Sequence, residues 1–209
     1  FYRKSDRLSE IFVARAVSKT IGNGHCLFLS NSMPVRDMDM YAAPGDKCLN
    51  IGGNRGASGI DGIIASACGY SDALDAPLTL VIGDLAFLHD LNSLALVGKC
   101  RNPVTIVVVN NDGGSIFSFL PIADHKEHFE EYFITPHGKN FESAGEMFGI
   151  PYSKVNSIKE FLERYTSSLG QGKNMIIEVA VDREKNIELH KELQSVIKKD
   201  LDQSGKKEE

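Results

Sequence analysis

Leu78-Thr79-Leu80-Val81-Ile82-Gly83-Asp84 is a short apolar run that stops at a glycine and an acid. About one helix length later the pattern returns as Val104-Thr105-Ile106-Val107-Val108-Val109-Asn110-Asn111. Neither run alternates with polar residues, so both read as strands buried between helical layers, not as a half-solvated sheet. Working outward, residues 26–29 and 175–181 have the same character. The stretches 59–73, 86–97, 141–148, 158–169 and 186–198 carry apolar residues at helical spacing. Leu8, Ile11, Phe12, Ala14, Ala16 and Val17 start another such face near the amino end. Strands alternating with helices predict an α/β fold: a doubly wound parallel sheet flanked by helices.

The 209 residues, 42% of them hydrophobic and 24% charged, are enough for one large domain with a full core. That domain is expected over residues 1–197. Residues 198–209, mostly charged with a Ser204-Gly205 break, are expected as a disordered tail. The chain opens on Phe1-Tyr2 and almost at once enters helical periodicity, which reads as a piece of a longer polypeptide. A formal charge of −5 does not supply the basic face of a nucleic-acid binder. No apolar run is long enough to span a bilayer, so a soluble intracellular protein is expected. Cys26, Cys48, Cys68 and Cys100 form no CxxC pair and read as reduced thiols. His125 and His128 share a helical face, but with no further ligand close in sequence they read as solvated.

The chemistry concentrates where the two central strands end. In doubly wound sheets the carboxyl ends of the strands open a crevice that takes ligands. The step from Asp84 to Asn111 is one helix and one strand, which brings the two residues onto adjacent loops. A carboxylate, an amide oxygen and nearby carbonyls are hard donors of the kind Mg²⁺ selects, with phosphate oxygens and water completing its shell. Either pair alone is ordinarily a helix cap or a turn; together they make a candidate metal and diphosphate site. The stretch from 112 to 140 is the one long segment without clear periodicity, and such segments in compact domains are usually functional. His89-Asp90 looks like an acid–base pair but follows the acid on a helix, and it is assigned no catalytic role.

Gly83-Asp84 followed one βα unit later by Asn110-Asn111 resembles the cofactor motif of the thiamine-diphosphate enzymes. Leu85 stands where that motif usually has another glycine. With Leu85, three further stretches resemble the menaquinone- and phylloquinone-pathway synthases within that family. They are Asn31-Ser32-Met33-Pro34-Val35-Arg36, Asn54-Arg55-Gly56-Ala57-Ser58-Gly59-Ile60-Asp61, and Asn110 through Phe117 continuing to Leu120-Pro121. The resemblance covers roughly residues 30–190.

The resemblance implies a metal, Mg²⁺ or Mn²⁺, held by Asp84, Asn111 and the carbonyl of Gly113. It implies thiamine diphosphate contacts from Ser32, Ser58, Gly59, Ile60, Asp84, Leu85, Asn111, Gly113, Gly114 and Ile116, with Ile60 propping the bent cofactor. The implied reaction is decarboxylation of 2-oxoglutarate and addition of the succinyl carbanion equivalent to isochorismate. Arg36 and Arg55, each expected just after a strand, would grip substrate carboxylates through paired hydrogen bonds. Ile116, Phe117 and Leu120 would line the substrate pocket. The family's activating glutamate belongs to a separate pyrimidine-binding domain that this chain does not resemble, so a homodimer or homotetramer is expected, with no turnover by the isolated chain. A bacterial source would make the protein cytoplasmic and a plant or algal one plastid. Two other readings stay open: a different thiamine-diphosphate enzyme, such as a 2-oxoacid decarboxylase or acetolactate-type synthase, and a non-catalytic α/β module.

Overall fold

The computed structural model describes residues 7–47 and 49–205, with side chains described to Asp202. Phe1-Tyr2, Cys48 and the last residues of the expected tail, 206–209, lie outside the described residues. Among the described residues six parallel strands form one sheet: β1 (Cys26–Leu29), β2 (Asn50–Gly52), β3 (Leu78–Gly83), β4 (Val104–Asn110), β5 (Tyr152–Val155) and β6 (Met175–Ala180), in the order β2-β1-β3-β4-β6-β5. The helices among the described residues are α1 (Glu10–Thr20), α2 (Met33–Tyr41), α3 (Ile63–Leu74), α4 (Asp84–His89), α5 (Leu94–Val97), α6 (Lys126–Phe129), α7 (Glu142–Phe148), α8 (Ile158–Gln171) and α9 (Arg183–Gly205).

The expected parallel doubly wound sheet is present. Side chains alternate between its two faces, and both faces are covered. Leu78, Leu80, Ile82, Val104, Ile106 and Val108 join a cluster with Ile63, Phe87, Leu94 and Phe141 on one side. Val81, Val107, Val109, Ile177 and Val179 join Phe12, Val17, Phe161 and Tyr165 on the other. The two threonines embedded in these strands find partners on α8: Thr79 Oγ1 lies 3.0 Å from Tyr165 Oη, and Thr105 Oγ1 donates to Ser168 Oγ at 3.2 Å. A buried hydroxyl is tolerated where it is hydrogen-bonded.

Several elements differ from the sequence expectation, among them α2, a helix where none was expected. β2 and β5 are edge strands of three and four residues, too short and too polar to stand out by pattern. The single helix expected over 86–97 is broken into α4, a 3₁₀ turn at Leu91–Ser93 and α5. The reason is Asp90: its Oδ2 accepts from Ile64 N at 2.6 Å and Ala65 N at 3.3 Å, capping α3, while Oδ1 accepts from Ser93 Oγ. The tail expected from Lys198 is helical through Gly205 as a continuation of α9. The 112–140 segment is folded into short 3₁₀, α and π turns. The cysteines, distant in sequence, are partly brought together: Cys68 and Cys100 are side by side as free thiols.

The chain runs from β1 outward to β2, then returns across β1 to β3. The sheet order therefore reverses between β1 and β3, and the loops leaving their carboxyl ends diverge. Topology alone predicts a ligand crevice at that point.

Candidate cofactor and metal site

A cavity of about 600 Å³ opens at this switch point. Its floor is Val81 and Val109, the ends of β3 and β4, and its walls come from the loops after β1, β2, β3 and β4 together with α1 and α2. Ser32 stands at the amino end of α2 with φ 69° and makes no side-chain cap there. A non-glycine residue held in that region signals a conformation imposed by its surroundings; here it leaves the Ser32 hydroxyl uncommitted on the cavity wall.

Asp84 is buried at 2% exposure. Its Oδ1 accepts from Leu85 N at 2.6 Å, and its Oδ2 accepts from Asn111 N at 3.1 Å and Gly113 N at 3.0 Å. Burial raises its carboxyl above the usual range, opposed by the backbone donors of Gly113 and Leu85 and by His137, whose Nε2 is 3.2 Å from Oδ2. The β4 loop is thus wrapped around the carboxylate of the β3 loop. Gly113 makes this wrap possible: it has φ 134°, and a Cβ there would stand 2.1 Å from the carbonyl oxygen of Ile134. At Gly114 a Cβ would meet the carbonyl of Phe133 at 2.4 Å, so only glycine fits at either position.

Asn111 Nδ2 donates to Glu10 Oε1 at 2.6 Å and to Ser115 Oγ at 3.2 Å, while Oδ1 is buried without a hydrogen-bond partner. A buried amide oxygen left unpaired is costly; it belongs to a residue whose backbone N–H binds Asp84 Oδ2, and an amide oxygen and a carboxylate are donor types suited to Mg²⁺. The residues present therefore fit a divalent cation.

Residues 41–179 match the family described as "Thiamine pyrophosphate enzyme, C-terminal TPP binding domain". The chain belongs to this family. Curated relatives named 2-succinyl-5-enolpyruvyl-6-hydroxy-3-cyclohexene-1-carboxylate synthase include proteins of Chlorobaculum tepidum (50% identical, 90% of this chain and 32% of the relative) and Rubrobacter xylanophilus (49%, 91% and 33%). The Salinibacter ruber protein of the same name is 43% identical over 96% of this chain and 34% of its own length. The chain spans about a third of the length of these relatives.

Against the family's pattern, Ser32, Arg36, Arg55, Ser58, Ile60, Asp84, Leu85, Asn111, Gly113, Gly114, Ile116 and Phe117 all line the one cavity. Ile60 also packs on the core beside α3, three residues before that helix begins, so packing and cavity lining are both true of it. Gly59 and Leu120 are not among the lining residues. The carbonyl of Gly59 accepts from Asn31 Nδ2 at 2.7 Å, tying the β2 loop to the β1 loop, and Leu120 is 50% exposed. Arg36 does not directly follow a strand; it lies on α2 and donates to the Ser32 carbonyl at 2.7 Å. Arg55 does follow a strand, the unexpected β2. His125, His128 and His89 are exposed.

The sequence reading missed Glu10, Asp37, His137 and His190. Glu10 and Asp37 line the cavity, and Glu10, Asp37 and His190 have ligand-capable atoms within 4.8 Å of one another. No motif marks them, because they come from α1, α2 and α9 and meet only in the fold. His137 had one available signal, its place inside the aperiodic 112–140 stretch. Asp112 Oδ1 accepts from the backbone of His137 and Gly138 at 3.0 and 2.7 Å, which anchors that segment over the site. Burial works to raise Asp112, but these donors outweigh it and its carboxyl sits below the usual range.

Proposed function

We propose that this chain supplies the diphosphate- and metal-binding half of a 2-succinyl-5-enolpyruvyl-6-hydroxy-3-cyclohexene-1-carboxylate synthase, acting on 2-oxoglutarate and isochorismate in menaquinone or phylloquinone biosynthesis. The observation that carries this reading is the buried, unpartnered Asn111 Oδ1 beside Asp84, in a cavity that Arg36 and Arg55 also line. The relatives' names favour it over another thiamine-diphosphate enzyme or a non-catalytic module.

Asp84, Asn111 Oδ1 and the Gly113 carbonyl hold Mg²⁺ or Mn²⁺. Ser32, Ser58, Leu85, Gly114 and Ile116 contact the cofactor and Ile60 props it. Thiamine diphosphate, when bound, supplies the electron sink for loss of CO₂. Arg36 and Arg55 orient the two carboxylate-bearing substrates, for which a planar guanidinium is suited, and Phe117 gives the pocket an apolar wall. Phe117 is itself steadied by an edge contact with Phe133, ring centroids 5.5 Å apart.

The reading includes a pyrimidine-binding domain carrying the activating glutamate, met in a homodimer or homotetramer. Among the described residues no helix is long and apolar enough to cross a membrane. The relatives are bacterial, so a cytoplasmic site of action is part of the proposal and the plastid alternative has no support.

The test is calorimetric titration of thiamine diphosphate into the intact protein with Mg²⁺ or with chelator, alongside Asp84→Ala. Magnesium-dependent binding that Asp84→Ala weakens by more than about 100-fold is expected, since removing a direct ligand exceeds the 10–100-fold typical of supporting residues. Equal binding with chelator, or an unaffected variant, sinks the metal reading. Isochorismate-dependent consumption of 2-oxoglutarate tests the substrate assignment separately.

A further inference from the structure

Glu10 is a carboxylate in the first turn of α1, a place where acids normally sit in solvent facing the helix dipole. Here it is 3% exposed. Burying a carboxylate is costly unless its oxygens are well used, and Glu10 uses one of them unusually well. Its Oε1 accepts from Asn111 Nδ2 at 2.6 Å, bridging 101 residues of chain. A carboxylate only accepts, so it selects the NH₂ edge of the Asn111 amide and turns the opposite edge away. That opposite edge is Oδ1, the buried oxygen with no donor.

Glu10 is in turn held from behind by α9. Its backbone N–H donates to Asn186 Oδ1 at 3.0 Å, and its Oε2 lies 3.7 Å from His190 Nε2. His190 Nε2 is also 3.5 Å from Asp37 Oδ1, and its Nδ1 is 3.4 Å from the Tyr41 hydroxyl on α2. The Ser9 hydroxyl caps α1 by accepting from Phe12 N at 3.1 Å, fixing the turn from which Glu10 projects. The terminal helices α1 and α9 therefore meet behind the metal amide.

We propose that Glu10 is a positioning residue for the cation: it fixes the Asn111 amide with Oδ1 presented for coordination, and α9 holds Glu10 in place through Asn186 and His190. The inference rests on the metal-binding reading of Asp84 and Asn111. Without Glu10, Ser115 Oγ remains as a weaker partner for Nδ2, and the amide is free to rotate by half a turn. The cation then meets an NH₂ group instead of an oxygen for part of the time.

The experiment is Mn²⁺ binding to the intact protein with saturating thiamine diphosphate, read by electron paramagnetic resonance of free Mn²⁺. Glu10→Gln keeps an acceptor without charge and is expected to bind within about fivefold of the parent, the usual difference between charged and neutral acceptors. Glu10→Asp keeps the charge but withdraws the oxygen by one methylene, and Glu10→Met removes both. Each of these two is expected to raise the Kd by about 10–100-fold, as loss of a ligand-orienting partner does.

Tight binding by Glu10→Met and Glu10→Asp, with only a lowered melting temperature, would reduce Glu10 to a structural residue. Weak binding by Glu10→Gln alongside normal binding by Glu10→Asp would make charge, and not orientation, the operative property, and would also overturn the inference. Circular dichroism checks folding; should Glu10→Met not fold, the Gln and Asp variants decide the question between them. Failure of the parent itself to bind Mn²⁺ would remove the metal site, an outcome distinct from any pattern among the variants.

Discussion

Asn110 and Asn111 are neighbours with the same side chain, and each donates its Nδ2 to a buried glutamate, yet the two surroundings are built to opposite ends. Asn110 Nδ2 donates to Glu178 Oε1 and the Lys139 carbonyl, both at 3.0 Å, and its Oδ1 accepts from Asp112 N at 3.1 Å. Glu178, fully buried on β6, also accepts through Oε2 from Phe141 N at 2.9 Å and the Tyr152 hydroxyl at 2.7 Å. Nothing on that side is left over. On the other side Asn111 Oδ1, Glu10 Oε2, Asp37 Oδ1 and His190 Nε2 are all buried without a hydrogen-bond partner. A satisfied polar network rigidifies a fold, while an unsatisfied one marks a place that something else completes. Two adjacent residues thus separate the part of the sheet end that is fully hydrogen-bonded from the part with buried groups left open, where the metal is proposed.

The largest effect that sharpens this contrast is on the closed side. Glu178→Ala leaves Phe141 N and Tyr152 Oη without their acceptor and Asn110 Nδ2 with only the Lys139 carbonyl, and a loss of about 3–5 kcal/mol is expected from breaking such a buried charged network. Urea denaturation of the chain measures it. A cost under about 1 kcal/mol would mean that the network is not the anchor of the β4 end. Next comes the hinge between the two sides. Gly113→Ala sets a Cβ against the Ile134 carbonyl at φ 134°, and about 1–3 kcal/mol of strain is expected. Because Gly113 also donates to Asp84 and its carbonyl is a proposed metal ligand, Mn²⁺ affinity should fall along with stability. A stability loss without any change in affinity would separate the turn from the site.

The sequence carried the closed side and the open side unequally. The central strands were legible because burial on both faces removes polar alternation, and the residues at the strand-end cavity were legible because topology opens a crevice there. β2 and β5 were not, since three- and four-residue edge strands leave no period to read. The α4–α5 break was hidden for another reason. Asp90 looked like half of an acid–base pair, and only the fold reveals that it caps α3 across 26 residues. Glu10, Asp37 and His190 were illegible for the same cause on a larger scale, coming from three helices with no shared motif. Contacts between distant segments are the part of a site that local pattern cannot supply. Leu120 differs from its motif neighbour Phe117: it follows the turn that ends at Phe119, is half exposed and stands outside the cavity lining.

The smallest expected effect concerns whether the open side is strained as the geometry states. Burial pushes the Asp37 carboxyl up to about 9, reinforced by the negative charge of Glu10, with Arg36 opposing. In the unfolded chain an aspartate loses its proton near about 3.9. Between those values the folded state binds more proton than the unfolded state, so the parent loses stability as pH rises from about 4 to about 9 and is flat above. Asp37→Asn is neutral throughout. Relative to the parent, the variant should therefore gain as pH rises, by at least about 1 kcal/mol between pH 5 and pH 8, with chelator present so that no cation occupies the adjacent site. The faces packed around Asp37 carry Glu10, His190, Arg36 and Tyr41; of these Glu10 favours the protonated form by its charge and Arg36 opposes it. A pH-independent difference would show Asp37 ionised throughout, which would make its carboxylate a matched part of the fold and erase the contrast between the two asparagines.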